Sequence, residues 1–137
     1  MKTLKIFAIA FVASLSLSMI SCSQEAKTKK SYEKIEQFTA KDSLTEEEAD
    51  QAADAFADWS QNVLQEMQEA ADNSTSLAEF NSKLKQIEAK YPEVTNLAIT
   101  LGQNQNGKFE KKSQEFALQV KEIIDGFGQK MINSNNQ

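Results

Sequence analysis

The 137-residue chain contains no histidine and no arginine. Without imidazole it lacks the commonest general base and the commonest nitrogen ligand for metals. Without guanidinium it lacks the forked group that clamps carboxylates and phosphates through two hydrogen bonds at once. Every basic side chain is a lysine, a flexible point charge. The single cysteine, Cys22, excludes an internal disulfide and a thiolate zinc centre. Four glycines and one proline supply few tight turns, which disfavours a many-stranded β fold and favours helices. These absences argue against an enzyme and against a bound cofactor, since no side chains stand at a spacing that nucleophilic or acid–base chemistry demands.

What is present begins with a short basic start carrying Lys2 and Lys5, followed by an apolar run from Ile6 to Val12. Leu15, Leu17, Met19 and Ile20 continue the run less strictly, diluted by serines at 14, 16 and 18. This is the n-region and h-region of a secretory signal, shorter and more polar than the roughly 20 apolar residues of a membrane-crossing helix. Ser-Met-Ile-Ser-Cys-Ser follows at 18–23. That stretch resembles the lipobox of bacterial lipoproteins, with Ser21 in the small position before the cysteine. The resemblance covers about the first 23 residues. It implies removal of residues 1–21, a diacylglycerol on Cys22 and attachment to a membrane of the cell envelope. Ser23 stands where the family sorts between membranes, and serine there implies the outer membrane rather than the inner.

Residues 22–43 read as the lipidated cysteine and a polar, flexible tether. Lys27, Lys29, Lys30, Lys34 and Lys41 alternate there with Glu25, Glu33 and Glu36. At about 3.3–3.6 Å per extended residue, such a tether would set how far the domain reaches from the lipid. Within it Tyr32, Ile35 and Phe38 recur every three residues, the spacing of one helical turn able to dock on a core.

From 44 to 132 the pattern predicts an all-α domain, a small antiparallel bundle of three to four helices. Thr45 and Glu48 form a capping box, with Leu44 and Ala49 placed as a hydrophobic staple and three glutamates in the first turn. Ala49, Ala52, Phe56, Trp59, Val63, Met67 and Ala70 then recur at three and four, giving a helix over 44–72. Ser76 and Glu79 predict a second capping box and a helix carrying Leu77, Phe80, Leu84, Ile87 and Tyr91. Pro92 stops that helix and is placed to open a short third one through Val94, Leu97, Ala98 and Leu101. Asn106-Gly107 predicts a turn, and the last helix spans 108–131 with Phe109, Phe116, Val120, Ile123, Ile124, Phe127 and Met131 on one stripe. Residues 133–137 read as a disordered tail.

Residues 42–82 hold eleven acidic side chains and no lysine, whereas 83–137 hold eight lysines and six acids. The acidic face of the first long helix, with Asp50, Asp54 and Asp58 at intervals of four, argues against nucleic acid, which needs a basic footprint. A calcium loop, with its glycine and alternating oxygen ligands, does not occur around those aspartates, so no metal site is expected there. Asp54, Asp58 and Trp59 are the candidate contacts for an envelope protein partner. Trp59 also fits a core position with its indole N–H at the rim. The function expected is therefore a non-catalytic binding or scaffold module held to the membrane through Cys22. An alternative is a carrier of a small apolar ligand, lined by the phenylalanines at 56, 80, 109, 116 and 127.

Overall fold

The computed structural model describes residues 19–135, with side chains described from Gln24 to Ser134. Residues 1–18, most of the stretch 1–21 read as a signal, and the last two residues lie outside it. Among the described residues there are five helices and no strands: α1 (Met19–Thr39), α2 (Glu46–Asp72), α3 (Leu77–Ala89), α4 (Glu93–Gln103) and α5 (Gly107–Asn135). The all-α reading holds.

The start of α2 follows its capping box. Thr45 Oγ1 accepts the Glu48 N–H at 3.1 Å, and the Glu48 carboxylate accepts the Thr45 N–H at 3.1 Å. Glu48 also meets Lys41 in an ion pair across the α1–α2 turn. Hydrogen bonding from Lys41 and then from Thr45 holds the Glu48 carboxyl below its ordinary range. At α3 the box differs from expectation. Ser76 does accept the Glu79 N–H at 3.1 Å, but Glu79 reaches one residue further back, to the Thr75 N–H and hydroxyl. Pro92 is the N-cap of α4 rather than its first helical residue, and it offers no side-chain cap.

The α4–α5 connection also departs from the expected Asn-Gly turn. Gln105 takes the left-handed conformation, φ 53°, and Gly107 is already helical. Asn106 instead caps α5, its Oδ1 accepting the Phe109 N–H at 2.8 Å. With that cap in place α5 begins at Gly107 and runs on to Asn135, through most of the segment read as a disordered tail.

The largest difference lies at the N-terminal side. Residues 24–39, read as part of a polar tether, form a helix that packs along α2 and α4. Its inward face is Gln24, Thr28, Ser31, Tyr32 and Ile35, all buried, with Phe38 half-buried against the core. Polar side chains can be buried here because each finds a partner. Thr28 donates to the Gln24 carbonyl at 2.9 Å and Ser31 to the Thr28 carbonyl at 2.9 Å, while Gln24 Nε2 donates to the Asn62 carbonyl at 3.0 Å. Docking of the Tyr32, Ile35 and Phe38 turn is thus part of a longer contact. Of the segment read as a tether, 22–43, residues 22–39 are helical and only 40–43 lie outside a helix.

Consecutive neighbours α1 and α2 run antiparallel, shown by Glu25 beside Glu66 and Lys41 beside Glu48. Helices α3 and α4 share the return path, so α5 lies along α2 in the same sense. Its contacts climb in step: Asn106 to Asp50, Phe109 to Phe56, Phe116 to Trp59 and Lys130 to the carbonyls of Ala71 and Asp72. The core between them is ring-rich. Phe56 meets Phe109 and Phe116 at centroid separations of 5.0 and 5.8 Å, and Phe80 meets Phe127 at 4.3 Å.

Candidate functional site

Cys22 stands in the first turn of α1, where only the backbone is described. Lipidation of its thiol lies outside the described side chains. The next buried side chain is Gln24, two residues on.

The acidic face of α2 points outward as its pattern requires: Glu46, Glu47, Asp50, Asp54 and Asp58 are all exposed. Part of it is engaged within the molecule. Asp54 pairs with Lys108 at 2.7 Å, and Asp50 accepts from Asn106 Nδ2 at 2.9 Å, so the start of α5 leans on both. Asp54 raises the Lys108 ammonium above its ordinary range, mainly through that hydrogen bond. Asp58 lies further along and lines a cleft of about 290 Å³ between α2 and α5. Gln61 joins it from α2, facing Lys112, Glu115, Phe116 and Gln119 from α5. Among the described residues no three carboxylates or thiols gather as a metal site would require.

Trp59 does not belong to this surface. It is 6% exposed and lies among Phe56, Tyr91 and Phe116, with ring centroids 5.5–5.8 Å away. The helical stripe places it in the core, where Tyr91 from the α3–α4 junction and Phe116 from α5 pack against it. Its indole Nε1 is buried without a hydrogen-bond partner, so the expected N–H at the rim is not there. The aromatic that does border the Asp58 cleft is Phe116, half-buried on α5.

A second group of chemistry-bearing side chains was not visible in the apolar pattern. Glu66 of α2 is 4% exposed. Tyr91 donates its hydroxyl to Glu66 Oε2 at 2.8 Å, and Lys90 Nζ lies 3.2 Å from Glu66 Oε1 and 3.0 Å from Glu25 Oε1. The cluster joins α1, α2 and the α3–α4 junction. Burial pushes the Tyr91 phenol far above its ordinary range, and the negative charge of Glu66 pushes the same way. Burial likewise raises the Glu25 carboxyl, against the opposing pull of Lys90. Tyr32, packed edge-to-face on Tyr91 at 5.1 Å, is pushed up to about 12 chiefly by burial. Both phenols therefore stay protonated and act as hydrogen-bonding groups. Glu66 has a signal in the sequence after the fact: 59, 63, 66 and 70 follow helical spacing, which puts the carboxylate on the apolar stripe.

The phenylalanines proposed as lining for an apolar ligand pack on one another. A shallow depression of about 550 Å³ lies against Gly126, Gln129, Lys130, Asn133 and Ser134, away from those rings. The Asp58 cleft meets only Phe116. This geometry offers an outward acidic surface and a cleft bordered by both charge signs, not an opening among the phenylalanines. Comparison with protein families, with curated proteins and with solved structures returned no match.

Proposed function

We propose that the protein is a cell-envelope lipoprotein, fixed to a membrane by lipid on Cys22, whose helical domain is a non-catalytic binding or scaffold module. The observation that carries the reading is the cysteine itself, placed directly behind a basic start and a short apolar run and preceded by Ser21. Two or more acyl chains give stable attachment where one gives only marginal binding, because each buried CH₂ contributes about 0.8 kcal/mol. Among the described residues no helix is long and apolar enough to cross a membrane, and an anchor on Cys22 requires none. Ser23 favours the outer membrane.

The binding role rests on the outward face of α2 and on the Asp58 cleft, which together present carboxylates to an envelope protein partner. Packing of the five phenylalanines against one another favours this over the carrier of an apolar ligand. Two measurements test the reading. Cys22→Ala should abolish lipid labelling and move the protein to a soluble fraction; membrane association that persists overturns the anchor. Co-purification from solubilised membranes should yield a partner that is lost on Asp54→Lys with Asp58→Lys. Lys108→Asp in the same chain re-forms the pair with residue 54 and separates loss of that contact from loss of the binding surface. Recovery of no partner overturns the scaffold role.

A further inference from the structure

Three helix ends meet at one end of the bundle. The Lys130 ammonium of α5 reaches the carbonyls of Ala71 and Asp72 at the end of α2, and Lys83 of α3 reaches the Asn73 carbonyl. Phe80 and Phe127 stack beneath them. Helix α1 starts alongside the last third of α2 and points toward the same end, with Gln24 bonded to Asn62 and Lys90 bridging Glu25 to Glu66. Two large aliphatic side chains are exposed there: Leu77 in the first turn of α3, 60% exposed, and Ile132 in the last turn of α5, 55% exposed. The opposite end carries the α1–α2 and α4–α5 connections, about 40 Å away by the length of a 27-residue helix.

We infer that this end of the bundle lies directly against the lipid surface, with Leu77 and Ile132 meeting the headgroup region. The inference rests on lipidation of Cys22. Gln24 is held by Asn62 inside the bundle, and Glu25 by Lys90. Only Ser23 separates Cys22 from Gln24, and the two steps between them span at most about 7 Å even when extended. A lipid on Cys22 therefore leaves no length for the domain to stand off from the membrane. Exposed aliphatic side chains at the end of the bundle toward which α1 starts gain by partial burial in the interface. The acidic half of α2, Glu46 to Asp58, is carried to the far end and faces away from the lipid.

The test uses the lipidated full chain in phosphatidylcholine vesicles containing a headgroup nitroxide lipid. Acylation occupies the thiol of Cys22, so a fluorophore can be placed on a single new thiol at Leu77→Cys, Ile132→Cys or Asn104→Cys. The two proximal labels should lose most of their fluorescence to the nitroxide, and the Asn104 label should keep it. A twenty-residue Gly/Ser insert between Ser23 and Gln24 should relieve the proximal quenching while flotation with vesicles persists. Equal quenching at all three positions, or none at any, with flotation intact and dependent on Cys22, overturns the apposition while leaving the anchor standing. Loss of lipid labelling and flotation in the unmodified chain defeats the anchor and the apposition with it.

Discussion

The Tyr32 hydroxyl of α1 accepts the backbone N–H of Glu93, the first residue of α4, at 3.0 Å. A helix start leaves its first N–H groups without intrahelical partners. Pro92, at the cap, has no side-chain oxygen to offer. A phenol sixty-one positions away in sequence fills the role.

Tyr32→Phe removes that acceptor and keeps the ring against Tyr91. Loss of an N-cap acceptor costs about 0.5–2 kcal/mol, and a fall of that size in denaturant unfolding free energy is expected. Amide exchange should quicken at Glu93 more than at residues of α2. An unchanged exchange rate at Glu93 counts against the capping role.

Lys90→Met should be strongly destabilising. It leaves Glu66 buried with only Tyr91 as partner, and stranding one member of a buried pair costs about 3–5 kcal/mol. Adding Glu66→Leu removes the stranded charge. The double variant should then recover much of the loss, giving a coupling energy of at least about 1 kcal/mol in a mutant cycle. Simple additivity would show that the two side chains do not act as a pair.

Glu69 gives a pH signature of definite sign. Burial first, then the charges of Glu66 and Asp72, raise its carboxyl above the ordinary value in the folded state. Such a group contributes stability that is fully present below its unfolded pKa and is lost as pH rises through the folded pKa. Glu69→Gln should therefore be more stable than the parent at pH 7, by a few tenths of a kcal/mol at this partly exposed position. That advantage should shrink to nothing below the carboxylate range. Glu79, lowered chiefly by its bond from the Thr75 N–H, has the opposite sign, and Glu79→Gln should lose stability relative to the parent only above that range.

Trp59→Phe removes the buried indole N–H that has no partner. The lost ring area is destabilising and the lost unsatisfied donor is stabilising by about 1–3 kcal/mol. The net change should fall well below the roughly 3–5 kcal/mol of a full Trp-to-Ala truncation. Thermal unfolding followed by circular dichroism decides this, and a loss as large as that of Trp59→Ala would rule it out. Trp59 is the only tryptophan, so its emission in the parent reports packing of α5 and the α3–α4 junction on α2 without interference.

The helices from Glu46 onward were legible because their apolar residues repeat at three and four and their starts carry capping side chains. The α2 boundaries follow from Thr45, Glu48 and Asn73 alone. Helix α1 was hidden for a physical reason. Among its described side chains, three of the five that are buried are Gln24, Thr28 and Ser31, which are satisfied by hydrogen bonds to α2 or to their own helix and leave no hydrophobic trace. Glu66 was missed on the same grounds, as a charge on an apolar stripe whose partners come from Lys90 and Tyr91. Asp54 and Asp58 were placed correctly on the outer face, but the bond from Asp54 to Lys108 depends on α5 running alongside α2, which spacing along one helix does not reveal. Trp59 shows the converse: its position on the stripe was readable, and the absence of a partner for its N–H was not.

The polar character of the α1 interface has a further effect. An apolar stripe of similar side chains can slide by a turn against its neighbour at small loss, since one aliphatic contact replaces another. Gln24 on Asn62, Glu25 on Lys90 and Tyr32 on Glu93 are matched donor for acceptor. A slip of one helical turn, about 5.4 Å, breaks all three at once. The contact thus fixes register as a three-tooth key does: α1 seats at one height against α2 and the α3–α4 junction, and the distance from Gln24 to the far loops is set by that seat.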